Sequence, residues 1–195
     1  MNTNPASTVS SPSAKSTFST KELVLGGMFA AVLAVISQLS IPMPTGVPIT
    51  IQVFGVALTG AVLGWRLGLF ATFTYILLGA VGLPIFSNFR GGFQVLIGVT
   101  GGYIWAWPFL TALSGIQIKA KSRTVSTLLA LLFSLLGLAV VEIIGGLQWA
   151  MLAGDQSVSA VFAYSIIAFI PKDIVITILA VLIGIPMRNT LRRFL

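Results

Sequence analysis

The chain contains no cysteine and no histidine. Disulfides, thiolate or imidazole metal ligands, and Cys- or His-based catalysis are therefore excluded. Carboxylates are nearly as scarce: aspartate and glutamate together number 4 in 195 residues. A carboxylate metal cage has too few ligands to draw on. No P-loop, no GxGxxG and no catalytic triad can be found, so nucleotide hydrolysis would need a partner. Charge of either sign is rare at 8%, where a soluble domain carries about 25%.

What is present is apolar: 56% of residues are hydrophobic and the mean hydropathy is +1.03. The apolar runs approach the ~20 residues that cross a bilayer as a helix. They are continuous rather than alternating, which argues against a barrel. Buried in lipid, each backbone N–H and C=O must be satisfied within the protein, so helices are expected. Six spans are predicted, at about 22–39, 49–63, 67–83, 94–113, 125–151 and 171–190. The shorter ones suggest tilt, snorkelling or half-buried ends. Residues 1–20, rich in Ser, Thr, Asn and Pro, read as a disordered cytoplasmic tail. They lack the apolar core and cleavage site of a signal peptide. Residues 21–195 then form one membrane domain.

The basic residues set the orientation. With the N-terminus inside, Lys15, Lys21, Arg66, Lys119, Lys121, Arg123, Arg188, Arg192 and Arg193 all fall on the cytoplasmic side, nine of the eleven. Both termini are then cytoplasmic. The net charge of +7 is explained by this collar and not by nucleic acid. Arg90 and Lys172 are left in the outer half, with Glu142 and Asp173. Ionised groups at membrane depth cost about 2.5–3.5 kcal/mol each on insertion scales and normally face the bundle interior. These four either neutralise one another or form a pocket for a small anionic or amphoteric molecule.

The outer loops are unusual. The first, 41–50, holds three prolines, Pro42, Pro44 and Pro48, which stiffen it and disfavour helix. It is too apolar to prefer water, so it is expected to fold back over the bundle or to be a tight connection. The second, 82–92, mixes aromatics with Asn88 and Arg90. The third is expected to hold a short interfacial helix near 159–169. Pro171 then fits the start of the last span, placing Lys172 and Asp173 in its first turn. In the fourth span Tyr103 follows Gly101 and Gly102 and is a pocket candidate. Trp105 and Trp107 read at least as well as an interfacial belt. Small residues Gly26, Ala30 and Ala34, four apart, make a smooth stripe on the first helix for internal packing or for docking another membrane protein.

Three segments in order, Val47-Pro-Ile-Thr-Ile-Gln52, Leu78-Gly-Ala-Val-Gly-Leu-Pro-Ile-Phe86 and Gly98-Val-Thr-Gly-Gly-Tyr103, resemble the BioY family. Ile170-Pro-Lys-Asp173 falls where that family has a Pro-x-Asp motif. The likeness runs from about Lys21 to the C-terminus. It implies a biotin-specific S component of an energy-coupling-factor transporter: six transmembrane helices, no cofactor, no enzymatic activity, and a place in the cell membrane. Biotin would be captured near the outer face under the first outer loop. The resemblance also implies docking, through Ala30 and Ala34, to a transmembrane coupling protein driven by two ATPases, with toppling in the membrane to release substrate. On this reading Asp173 and Asn88 meet the ureido group. Lys172 and Arg90 meet the carboxylate or guard its approach. Thr50 and Gln52 shape the lid, and Tyr103 lines the rings. Glu142 matches no family motif. An S component for another vitamin, a membrane enzyme using Glu142 and Asp173, and an assembly subunit remain as alternatives.

Overall fold

A computed structural model describes residues 18–118, 120–154 and 157–191. Lys15, Lys119, Arg192, Arg193 and nearly all of the expected tail lie outside the described residues. The architecture is helical: α1 Thr20–Ser37, α2 Gln52–Ala80, α3 Phe93–Ile97, α4 Gly101–Gly115, α5 Arg123–Leu152, α6 Val158–Ala168 and α7 Ile170–Leu191. Among the described residues, α1, α2, α5 and α7 are each long and apolar enough to cross a membrane.

Helix α1 begins at a reciprocal cap. The Ser19 amide donates to Glu22 Oε2 (2.7 Å) and the Glu22 amide donates to Ser19 Oγ (3.3 Å), satisfying two donors the first turn would otherwise strand. Its inward face is Gly26, Ala30, Leu33 and Ser37. Ala30 is 4% exposed and Ala34 packs against the core. A Cβ on Gly26 would sit 2.6 Å from the Phe70 ring. The small stripe lets α1 close on α2, with Ala30 buried in that contact and Ala34 half-buried at its edge.

Helix α2 contains the second and third expected spans. Gly64 interrupts it with φ 82° and ψ 171°, a conformation only glycine adopts without strain. The chain reverses there. A Cβ on Gly68 would lie 3.3 Å from the Gly60 Cα, whereas eight residues of one straight helix span about 12 Å. The arms 52–63 and 65–80 are thus antiparallel. The first arm is only about 18 Å long at 1.5 Å per residue.

The fourth expected span is broken. Helix α3 stops at Ile97 and α4 starts at Gly101. The carbonyls freed at the break are capped by side chains: Gln148 Nε2 donates to Leu96 O (3.1 Å) and Gly98 O (2.8 Å), and Trp105 Nε1 donates to Leu96 O (3.1 Å). Such partners are obligatory where water is excluded. Helices α6 and α7 meet at Phe169 alone, whose amide donates to Ser165 O and whose carbonyl accepts from the Asp173 amide. The short helix and the first-turn placement of Lys172 and Asp173 agree with expectation.

Helix α4 is the axis, packed on both arms of α2 and on α5. Small residues permit the close approach: a Cβ on Gly137 would meet the Leu110 Cα at 2.9 Å. Thr72 and Thr111 share a hydrogen bond of 2.9 Å across this seam. Outward, Leu128, Leu132, Leu136 and Ile143 leave an apolar stripe on α5, suited to lipid. At one end Arg188 donates to Gly115 O (3.0 Å) beneath Gly64. It joins the ends of α4 and α7 to the α2 turn, near Glu22 and Arg66. Arg66 and Arg188 thus gather at one end of the bundle, with Lys21 close to the end of α7 there. Arg188 is a buried brace within that group, at 9% exposure.

Candidate functional site

The first outer loop builds the roof at the opposite end. Pro44 sits in a turn closed by the Gly46 amide donating to Met43 O (3.0 Å), and β1 Ser40–Ile41 pairs antiparallel with β2 Ile49–Thr50. Gly46 turns the hairpin with φ 81°. Val47 packs into an aromatic nest with Trp149 and Phe169. The hairpin therefore lies on the bundle as expected; its strand pairing has no signal in the sequence.

The second outer loop is fixed from below. Tyr75 Oη donates to Ile85 O (2.9 Å), and Ser37 Oγ donates to the same carbonyl. Gln38 donates to Phe86 O (3.2 Å) and accepts from the Phe89 amide (2.9 Å). The Phe86 ring lies over Gly79 and meets Tyr75 edge-on at 5.6 Å.

Between these loops and the helices lies a cavity with about 550 Å³ of unfilled space, part of it open to the outside. Six of the eight expected ligand residues line it: Thr50, Gln52, Tyr103, Glu142, Lys172 and Asp173. They come from β2, α2, α4, α5 and α7, so no sequence segment carries the site alone. Sequence reasoning missed Phe86, Thr100, Ile104, Trp107 and Phe169 as lining residues. The signal for the α4 group was present: Thr100, Tyr103, Ile104 and Trp107 follow the i, i+3, i+4, i+7 spacing of one helix face. Trp107 is buried in the site, while Trp105 is half exposed and suits a membrane interface.

Asn88 and Arg90 do not line the cavity. Asn88 and Phe89 take left-handed backbone (φ 58° and 54°), and Phe86 pairs with Arg90 across the turn. That turn aims both side chains away. Asn88 Oδ1 accepts from Ser40 Oγ (2.9 Å), tying the loop to the base of the lid. Arg90 borders a separate groove with Phe89, Gln94 and Val99. Neither of these two residues, expected at the ureido group and the carboxylate, lines the cavity in this structure.

The charges of the cavity are unevenly matched. Lys172 Nζ donates to Asp173 Oδ1 and to the Thr50 carbonyl, each at 2.6 Å. One ammonium thus neutralises Asp173, which is 3% exposed, and pins the lid to the first turn of α7. Gln52 Nε2 reaches Tyr75 Oη at 3.4 Å. Glu142, 7% exposed, has no hydrogen-bond partner at Oε2; the neighbouring Tyr103 hydroxyl has no bond of good geometry, with the buried Ser165 hydroxyl beside it. A polar patch left unsatisfied inside an apolar bundle is what a bound polar ligand would complete.

The family model described as the BioY family matches residues 8–193. A probable biotin transporter BioY of Pyrococcus horikoshii is 39% identical, over 84% of this chain and 94% of the relative. The biotin transporter BioY of Rhizobium etli is 33% identical, over 85% and 92%. A crystal structure of the S-component for biotin from an ECF-type ABC transporter superposes with a TM-score of 0.74 at 26% identity, covering 87% of this chain and 91% of that one.

Proposed function

The chain belongs to the BioY family, and on that premise we propose that it is the biotin-binding S component of an energy-coupling-factor transporter, a transport subunit and not an enzyme. The observation that supports this most directly is the cavity at the end away from the basic collar, polar within an apolar bundle and roofed by a hairpin. Biotin matches its lining. The ureido ring offers two N–H donors and a carbonyl acceptor. The fused rings and valeryl chain are apolar and suit Phe86, Trp107 and Phe169. The carboxylate is an anion for a site that holds Lys172.

Residues 21–195 act as one membrane domain of six crossings: α1, the two arms of α2, α3 with α4, α5, and α7. The basic end faces the cytoplasm, with both termini, and the cavity faces outward. The site residues are Thr50, Gln52, Tyr103, Glu142, Lys172 and Asp173. The subunit resides in the cell membrane and delivers biotin to an energising module of a transmembrane coupling protein and two ATPases.

The test is titration of the purified full chain in detergent with biotin, beside Asp173→Asn. Saturable tight binding by the wild type, weakened in the variant, is expected. Absence of biotin binding by a folded wild type would end the assignment.

A further inference from the structure

We propose that Glu142 and Tyr103 together read the ureido edge of the substrate, Glu142 accepting from an N–H and Tyr103 donating to the carbonyl. This rests on the biotin reading above and assigns a role that the family resemblance implied for Asp173 and Asn88.

Three observations lead here. First, the other candidates are engaged or absent. Asp173 Oδ1 is taken by Lys172, and Asn88 lies outside the cavity, bonded to Ser40. Second, Glu142 and Tyr103 both line the cavity, and each has a buried polar atom without a hydrogen bond of good geometry. Glu142 is more than nine-tenths buried, so water is a poor substitute. A carboxylate oxygen in that setting gains most from a donor that the ligand brings.

Third, the two are held side by side. A Cβ on Gly145 would run into the Tyr103 ring, so the ring lies flat on α5 one turn beyond Glu142. The glycine fixes the ring height, and the Phe169 ring meets it edge-on at 6.5 Å. One acceptor and one donor, adjacent and rigid, complement the N–H and C=O of a cyclic urea. A carboxylate or a fully ionised phosphate brings only acceptors and would leave Glu142 unsatisfied. A site built to hydrogen-bond a ligand group rejects analogues lacking it more strongly than an apolar slot does.

The experiment compares affinities of the purified full chain for biotin and for biotin methylated on its ureido nitrogens. Wild type, Glu142→Gln and Tyr103→Phe are measured, with thermal unfolding as a check on folding. N-methylation is expected to weaken wild-type binding by about 10- to 100-fold, the scale of hydrogen bonds to charged groups. Glu142→Gln should weaken biotin binding by about tenfold or more and shrink the discrimination against the methylated analogue. Tyr103→Phe should weaken biotin while retaining that discrimination. Wild-type affinity for biotin in a folded Glu142→Gln, or undiminished discrimination, would overturn the assignment and leave the biotin reading intact. Wild type that binds neither compound would remove the biotin reading itself. Should Glu142→Gln not fold, Tyr103→Phe carries the test, and unchanged biotin affinity there refutes the pairing.

Discussion

Replacing Lys172 by Met should loosen the roof of the cavity through a defined loss. The substitution keeps the length of the side chain and removes the ammonium. Asp173 then stays buried without its partner at 2.6 Å, and the Thr50 carbonyl loses its donor at the same distance. Breaking a sealed ion pair costs about 3–5 kcal/mol. The Lys172 side chain is 27% exposed against 4% for Asp173, so solvent screens part of the interaction, and a loss of about 2 kcal/mol is expected. For a domain of this size that lowers the unfolding midpoint by about 4–8 °C. The assay is a double-mutant cycle of Lys172→Met and Asp173→Asn by thermal unfolding in nanodiscs. Coupling of about 1–2 kcal/mol is expected, with faster amide exchange in the hairpin at 40–50 in each single variant. Strict additivity of the two substitutions would refute the pairing, and unchanged exchange would refute the attachment of the lid.

Two further predictions use the same unfolding assay. Ala30→Trp should destabilise the protein strongly, because Ala30 is buried against α2, while Ala31→Trp on the exposed side of α1 should change the midpoint little. Equal effects would contradict the rotation of α1 seen here. Gly64→Ala should cost about 1–3 kcal/mol, from the left-handed backbone and from the Arg188 guanidinium 2.5 Å from the added carbon; a neutral result would show that the turn tolerates an L side chain.

Long apolar runs and proline made the helices legible before the structure. The span edges near 22–39 and 125–151 lie close to α1 and α5, and Pro171 marks the start of α7 within one residue. The break between α3 and α4 was not legible, because its cause is long-range: Gln148, some fifty residues away, caps the freed carbonyls. The direction of the small stripe on α1 was equally hidden. A smooth stripe serves internal and external packing alike, and only the Phe70 ring against Gly26 decides between them. For the candidate site, rarity singles out Glu142, Lys172 and Asp173 in an apolar chain, and all three line one cavity. Asn88 and Arg90 were equally rare, but two left-handed residues rotate that loop outward. Backbone of that kind has no signature in Asn or Phe.

The seam beneath the cavity decides what sort of conductor this bundle can be. Directly below the site the first arm of α2 crosses α4, and at Gly60 there is no room for a single added carbon against the Thr111 backbone. The Thr72–Thr111 bond closes the same level from the other side. A contact that excludes a methyl group leaves no passage for a solute between the first arm of α2 and α4, so these two helices meet the underside of the hairpin site as one solid wall.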